Sequence, residues 1–190
     1  RRVRITAENP APKKYGEKLP DFTALAEVQG EDGLYTPITL AEVGLTLNTS
    51  PETDAEGHQL TPILFSTTAT YDAGVSATGY LIVPSTGSAV IDPYFTDLFN
   101  HEYKNGALVI EPLPITIKAL DKTVAYGESI SDKLDFEPSV NPLYTANIQD
   151  IDELLQSINT SYWAGLNSAK QTSDDTCRYQ HRIASCHTAK

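Results

Sequence analysis

Two of the four histidines stand in contexts that suggest acid–base chemistry. His58 lies in a polar Glu-Gly-His-Gln stretch, and His101 alternates with Phe99 and Tyr103 in a pattern typical of a half-buried strand. A histidine that acts as a general base needs a group that orients its ring and a nucleophile that it can activate. Neither histidine has an evident partner of this kind, so we interpret both as non-catalytic.

The best candidate for a nucleophile is Ser76, which lies in the stretch Gly-Val-Ser-Ala-Thr-Gly. This stretch is close to the Gly-x-Ser-x-Gly elbow, in which the serine sits on a strand-to-helix turn. Thr78 stands where the elbow has its second glycine, and no alternation of strands and helices surrounds the stretch. We therefore predict a loop that leads into a strand at Tyr80, and a protein that is not an enzyme.

Several groups of carboxylates could supply oxygen ligands to Ca²⁺. They are Glu31 with Asp32, Asp54 with Glu56, Asp92 with Asp97, and Asp150 with Asp152 and Glu153. None has the spacing of an EF-hand loop, because Leu154 occupies the ligand position that should follow Asp152. Acidic residues are mostly solvated at protein surfaces. The sequence therefore predicts no metal and no cofactor, with bound Ca²⁺ as the less favoured alternative.

Both cysteines lie near the end of the chain, at Cys177 and Cys186, with His181 between them and His187 directly after the second. A zinc site could be drawn from these four residues, but it lacks the Cys-x2-Cys pair typical of structural zinc sites. Adjacent residues such as Cys186 and His187 also have difficulty pointing at one ion. A Cys177–Cys186 disulfide would fit an exported protein, and two unpaired thiols fit the spacing equally well.

The charge of the chain limits its partners. It carries 14 basic and 25 acidic residues, for a net charge of -11, and no Lys or Arg occurs between Lys18 and Lys104. Nucleic acids and anionic membrane surfaces require a basic face. The longest apolar runs have four residues, whereas a membrane-spanning helix needs about 20. We therefore predict neither nucleic-acid binding nor membrane insertion.

Short alternating segments predict a mainly antiparallel β fold over residues 1–112. Val3, Ile5 and Ala7 alternate with polar neighbours, and residues 62–65 and 80–83 are typical of short buried strands. Residues 99–103 and 107–110 flank an Asn-Gly pair, which predicts a β-hairpin. Two helices are predicted. The first covers residues 21–28 with Asp21 as its N-cap, and the second covers residues 150–158, with apolar residues spaced for one face and with Asp152 and Glu153 in the first turn.

An internal repeat indicates how the chain is organised. The motif of Tyr15, Gly16 and Glu17 returns as Tyr126, Gly127 and Glu128, 111 residues later. In both places an Ile/Thr/Ala-containing strand precedes the motif, with one residue of difference in length, and Leu and Phe follow it. A repeat at this spacing predicts separate domains in tandem rather than a solenoid. We place the boundary at the prolines between residues 111 and 114.

The predicted domains are therefore a β module at residues 1–112, the start of a second module at 113–160, and an irregular tail at 161–190. The tail has a net charge of +2, while the preceding residues carry −13. It is interpreted either as a segment not native to the module or as a flexible or partner-dependent segment. The chain contains no Met and begins at Arg1, so we expect a mature product or a piece of a longer protein.

Taken together, these residues resemble the MBG-type domains of bacterial surface proteins, in the variety marked by a Tyr-Gly-x motif. That family begins with an Ile-Thr-Ala strand and continues with Asn-x-x-x-Lys-x-Tyr-Gly-Asp/Glu and Leu-Pro. Here the matching residues are 5–7, then Asn9, Lys13 and the motif at 15–17, then 19–20. Residues 79–83 and 100–110 resemble the later strands of the family. The resemblance covers residues 3 to about 119 and the start of a second copy.

The resemblance implies tandem β modules of a β-grasp-like fold, with an immunoglobulin-like sandwich as the alternative. It implies a non-enzymatic spacer, stalk or adhesive arm in an extracellular or cell-surface protein, with structural roles for the Tyr-Gly-Glu motif. The partners would be neighbouring modules of the same polypeptide, and a host glycan or protein as ligand. The alternative function is a carbohydrate- or protein-binding accessory domain of a secreted enzyme. Its aromatic platform would consist of Tyr35, Tyr71, Tyr94 and Phe95.

Overall fold

A computed structural model describes residues 1–127 and 136–157 of the chain. The described residues divide into a first compact unit, Arg1–Leu113, and a second that begins at Pro114. Strands dominate, and most of their pairings are antiparallel, so the predicted mainly β class is confirmed. The choice between a β-grasp and a sandwich stays a prediction.

The elements of the first unit are short and closely spaced. In chain order they are strands β1 (Arg2–Ala7), β2 (Lys13–Lys14), β3 (Ala24–Gln29) and β4 (Tyr35–Ile38), a 3-10 turn (Ala41–Val43), strands β5 (Leu45–Thr46), β6 (Glu52–Thr53), β7 (Gln59–Pro62), β8 (Leu64–Ser66) and β9 (Ser76–Ser85), helix α1 (Pro93–Leu98), and strands β10 (Asn100–Lys104) and β11 (Gly106–Glu111).

The first sheet has the order β10-β1-β3-β4, so β1 lies inside it. β1 pairs in parallel with β10 and antiparallel with β3. The alternation that predicted β1 places Val3, Ile5 and Ala7 in the interior, where each is at most 2% exposed. Arg4 lies on the other face, where its guanidinium contacts the Glu27 carboxylate at 2.7 Å and the Tyr35 ring at 4.1 Å.

The second sheet has the order β2-β11-β9-β8 and buries Ile82, Leu108 and Ile110 completely. Phe65 packs against the buried clusters of both sheets and so joins their cores. A small third sheet of order β5-β7-β6 lies beside them. The single strand predicted at residues 62–65 is divided at Ile63, because β7 belongs to the third sheet and β8 to the second.

The predicted hairpin of residues 99–110 is wrong. β10 and β11 do not pair with each other, because β10 joins β1 in the first sheet and β11 joins β9 and β2 in the second. An Asn-Gly hairpin turn needs positive φ at both central residues, and neither Asn105 nor Gly106 has it. Gly106 instead allows a close approach, since a Cβ on it would lie 2.5 Å from the Ala7 carbonyl oxygen.

The predicted helix at residues 21–28 is also wrong, because most of it lies in β3. Ala24 and Ala26 face the core at 6% and 4% exposure, while Leu25 between them is 57% exposed. This alternation has the period of a strand, and pairing with β1 on one side and β4 on the other satisfies the backbone. Long-range pairing therefore overrides the local helical signal around Asp21.

The second unit contains strands β12 (Ile115–Ala119) and β13 (Phe136–Val140) and helix α2 (Pro142–Thr145). Residues 151–157 are helical as predicted, and the Asp150 carboxylate accepts a hydrogen bond from the Glu153 amide at 2.9 Å. Ile158, at the end of the predicted helix, lies outside the described residues.

The pairing of β12 with β13 has the same register as the pairing of β1 with β3. Ala7 pairs with Ala24, and Ala119 pairs with Phe136; Val3 pairs with Val28, and Ile115 pairs with Val140. Both residues of each β12/β13 pair lie 112 positions after the corresponding residues of a β1/β3 pair, and the three pairs between these ends have the same offset.

We expect the Gly106→Ala substitution to destabilise the first unit by about 2 to 3 kcal/mol, because the new methyl group would meet backbone atoms that cannot move aside easily. Gly74→Ala is the matched control, since its Cβ would lie 3.7 Å from the nearest atom, the Tyr80 hydroxyl. Urea denaturation measures both. Equal stabilities for the two variants would contradict the close packing of β11 against the end of β1.

Candidate functional site

The first copy of the Tyr-Gly-Glu motif forms a tight turn directly after β2. Gly16 has a φ of 83°, which glycine adopts at little cost. The turn is tied to two distant segments, because the Tyr15 amide donates to the Glu111 carbonyl and the Gly16 amide donates to the Tyr71 carbonyl, each at 2.9 Å. The motif therefore joins the beginning of the first unit to its end.

Lys13 anchors this turn from the inside. The residue is only 4% exposed, and its ammonium group donates to the carbonyls of Glu17 and Tyr71 at 2.9 Å and of Lys14 at 3.3 Å. Burial lowers the pKa of Lys13, and the negative charges of Glu17 and Asp72 partly oppose that shift. A buried ammonium is tolerated because all three of its protons have acceptors.

Sequence reasoning did not assign a role to Lys13 or to Asn9, although both belong to the pattern that carries the MBG resemblance. The Asn9 side chain accepts a hydrogen bond from the Ala107 amide at 2.7 Å, so it bridges the gap between the two sheets. The signal that could have identified Lys13 is its place in the Lys-x-Tyr-Gly pattern, two residues before Tyr15.

The second copy of the motif is only partly described. Gly127 has a φ of 86°, close to that of Gly16, whereas Tyr126 is fully exposed. Glu128 lies outside the described residues. At the 111-residue spacing the counterpart of Lys13 is Val124, so the buried ammonium is not repeated.

The beginning and the end of the first unit run side by side in the same direction. Arg2 to Thr6 pair in parallel with Asn100 to Lys104, Asn9 then binds Ala107, and Lys13 and Lys14 pair in parallel with Ile110 and Glu111. Two ion pairs lie along this seam, between Arg2 and Glu102 at 3.1 Å and between Lys14 and Glu111 at 2.5 Å. We call residues 2–14 and 100–111 together the terminal seam.

A second feature is the turn between β6 and β7, which positions His58. The Asp54 carboxylate accepts hydrogen bonds from the amides of Glu56 at 3.0 Å and His58 at 2.8 Å, and it lies 2.8 Å from Nδ1 of His58. Burial opposes the ionisation of Asp54, but its bonds with His58 and Glu56 outweigh burial and lower its pKa. One ligand atom from each of the three side chains lies within 4.8 Å of the others.

Helix α1 holds the other side of this turn. Asp92 caps the helix by accepting from the Tyr94 amide at 3.0 Å, and it also accepts from the Gln59 amide at 3.2 Å. Tyr94 stacks on the His58 ring with centroids 3.9 Å apart and planes within 4°. Together the turn, helix α1 and residues near β4 line an open groove of about 540 Å³, which we call the His58 groove.

The structure does not assemble the predicted aromatic platform. Phe95 is only 2% exposed, so it cannot offer a face to a sugar ring. Tyr35 stacks under Arg4 on the first sheet, and Tyr71 contributes its carbonyl to the Lys13 anchor. Tyr94 and Phe95 contact each other, with 5.2 Å between their ring centroids.

The other residues considered as candidates for catalysis or metal binding have local structural roles where the structure describes them. His101 donates through Nε2 to the Val43 carbonyl at 2.8 Å. Asp32 accepts from the Leu34 amide at 3.0 Å in a turn, and Ser76 accepts from the Gly79 amide at 3.2 Å at the start of β9. Cys177, His181, Cys186 and His187 lie outside the described residues.

Comparison of the chain with protein-family models, curated proteins and solved structures finds no match. The resemblance to MBG-type domains therefore stays a hypothesis that rests on the motifs given above. Within residues 1–127 and 136–157, every helix is too short or too polar to cross a membrane.

We expect Lys13→Met to destabilise the first unit by about 1 to 3 kcal/mol, because the Glu17 carbonyl loses the ammonium donor and the Tyr71 carbonyl keeps only the Gly16 amide. Lys18→Met is the matched control, since Lys18 is exposed, and its effect should stay within about 0.5 kcal/mol. Chemical denaturation measures both. A Lys13→Met variant as stable as the control would show that the ammonium group does not anchor the turn.

The lowered pKa of Asp54 predicts an acid-sensitive turn. Its stabilising contribution is complete above the unfolded-state value of about 3.9 and is lost as the pH falls through the lower folded-state value. The stability difference between the native protein and Asp54→Asn should therefore be present at pH 7 and shrink toward pH 2. Asp97→Asn is the control for loss of an exposed surface carboxylate. A pH-independent effect of Asp54→Asn would contradict the assignment.

Proposed function

We propose that this chain is a non-enzymatic structural module of a longer extracellular or cell-surface protein, in which it carries tension between neighbouring modules. The observation that supports this most directly is the terminal seam. Force that separates Arg1 from Leu113 pulls the two parallel segments in opposite directions along their length. The hydrogen bonds between them are then loaded together in shear.

Shear loading resists force better than peeling, because several bonds must break in one step. Seven residue pairs join the seam, five in β1 and β10 and two in β2 and β11. Each hydrogen bond contributes about 0.5 to 1.5 kcal/mol on its own, so their simultaneous loss is a large barrier. Sliding β1 would also withdraw Val3 and Ile5, both fully buried, from the core.

The seam is supported at both ends by side chains. Lys13 ties β2 to the segment around Tyr71, so moving β2 away from β11 also strains or breaks this hydrogen bond. Asn9 holds the chain between the two parallel pairs. These contacts act on the segments that would bear the load, which is where mechanical resistance requires them.

Repetition of the module is the second part of the proposal. The matching registers of β1/β3 and β12/β13 support it, as do the similar φ angles of Gly16 and Gly127. β11 ends at Glu111 and β12 begins at Ile115, so only three residues, two of them prolines, connect the units. Short proline-containing connections are stiff, and acidic modules repel one another, which suits an extended stalk.

Single-molecule pulling tests the function. With handles at the two ends of the full chain, we expect the first unit to unfold in one step, at a force well above that of a helical bundle. The comparison uses the same protein with handles at Arg1 and at a cysteine replacing Glu31, with Cys177 and Cys186 changed to serine. That geometry peels the antiparallel β1/β3 pair from its open end, and unfolding should need much less force.

Equal forces in the two geometries, or unfolding of the first unit at very low force between the chain ends, would contradict the proposal. Arg2→Ala is a further check. It removes an exposed ion pair with Glu102 and should change the unfolding force only slightly, since exposed pairs contribute little.

A further inference from the structure

The His58 groove combines an apolar floor with an acidic rim. Its lining residues are Ile38, Ala41, Glu42, Asp54, Ala55, Glu56, Tyr94, Phe95, Leu98 and Phe99. Three of these are carboxylates, and none is Lys or Arg. The terminal seam does not use this groove, so the proposed mechanical function leaves it unexplained.

Two apolar side chains at the groove are unusually open to solvent. Tyr94 is 47% exposed and Leu98 is 46% exposed, although both belong to a helix whose Phe95 is buried. The Tyr94 ring is nevertheless held in place, because His58 stacks on one of its faces and Phe95 contacts it at nearly a right angle. A fixed, half-exposed aromatic ring is a good contact surface, since little conformational entropy is lost when a ligand binds it.

Two of the three carboxylates of the rim are held in place by hydrogen bonds, and the third has an accessible carboxylate group. Thr39 binds the Glu42 carboxylate through its hydroxyl at 2.6 Å and its amide at 2.9 Å, and these bonds lower the pKa of Glu42. The Asp54 carboxylate is fixed by the His58 turn. Among the described residues, the Glu56 carboxylate has no hydrogen-bond or ion-pair partner, although it lies beside Asp54 and His58.

Elsewhere in the same unit, an arginine side chain binds a tyrosine ring and a carboxylate together. On the first sheet, the Arg4 guanidinium stacks on the Tyr35 ring at 4.1 Å and donates through Nε and Nη2 to the Glu27 carboxylate at 3.1 and 2.7 Å. The His58 groove offers the same two components, a tyrosine ring and an open carboxylate, without an arginine.

We propose that the His58 groove binds a segment of a partner protein in which an arginine lies next to a bulky apolar residue. The guanidinium stacks on Tyr94 and donates to Glu56, while the apolar side chain covers Leu98 and Phe99. A guanidinium is favoured over a lysine ammonium because it is planar. It can stack on an aromatic ring while its N–H groups donate two hydrogen bonds to a carboxylate. A neutral glycan is less suited, because it carries no positive charge to complement the three carboxylates of the groove.

The test is an NMR titration of the isotope-labelled full chain with the peptide acetyl-Gly-Leu-Arg-Leu-Gly-amide. We expect saturable shifts of amides in residues 54–58 and 93–99, with weaker binding at higher salt. The matched peptide has citrulline in place of arginine, which keeps the shape and removes the charge. It should bind at least about fivefold more weakly, because both the charge-assisted hydrogen bond and the cation–π contact are lost.

Two protein variants locate the site. Glu56→Gln should weaken binding of the arginine peptide about fivefold and leave binding of the citrulline peptide nearly unchanged. Glu31→Gln, which neutralises an exposed carboxylate in the β3–β4 turn, should change neither. Since Glu56 is exposed and has no described side-chain partner, its substitution should not alter the fold, and the unperturbed spectrum checks this.

Several outcomes would overturn the proposal. The first is an absence of shifts at the groove when the peptide concentration reaches about 2 mM, which would place any Kd above the millimolar range. The others are equal affinity for the two peptides and equal effects of the two glutamate variants. Binding of an uncharged oligosaccharide at the same amides, unaffected by Glu56→Gln, would assign the groove to glycans instead. Binding of the peptide only when Ca²⁺ is added would assign it to a metal-dependent site.

Discussion

The parallel pairing of the first and last segments is the constraint on which the rest of the first unit depends. β1 must lie inside the first sheet, since it pairs with β10 on one side and β3 on the other. β11 must lie inside the second sheet, between β2 and β9. The chain passes from the first sheet to the second after Ala7 and again at Asn105, and these two crossings lie side by side. The close approach of Gly106 to the Ala7 carbonyl is where they meet.

Those elements that depend on local alternation could be predicted from the sequence. β1 follows from the spacing of Val3, Ile5 and Ala7, and the helix at residues 151–157 follows from its apolar face and the acidic residues of its first turn. The partner of each strand could not be predicted in this way. Asn105 and Gly106 have the residue types of a hairpin turn. The strands on either side of them nevertheless lie in different sheets, because β10 pairs with β1 and β11 pairs with β9. Likewise, the helical signal after Asp21 is overridden by the two neighbours that β3 pairs with.

The functional features were predictable to different degrees. The Tyr-Gly-Glu motif was singled out as structural, and its first copy forms a turn with a positive φ at Gly16. Lys13 was not singled out, because a lysine ordinarily indicates an exposed position, and only the three converging carbonyls make its burial favourable. The His58 groove depends on residues from three separate segments. No spacing in the sequence indicates that Glu42, Glu56 and Tyr94 line one surface.

The terminal seam is proposed to bear load and the His58 groove to bind a ligand. Because they are different parts of one unit, a ligand could bind without loosening the load-bearing strands. If the seam holds the first unit together, native-state hydrogen exchange of the full chain will show it. We expect the hydrogen-bonded amides shared by β1 and β10, and by β2 and β11, to exchange only through global unfolding of the unit, with free energies equal to those of the core strands β9 and β3. Exchange of the β10 and β2 amides through low-energy local opening, while β9 and β3 stay protected, would contradict it.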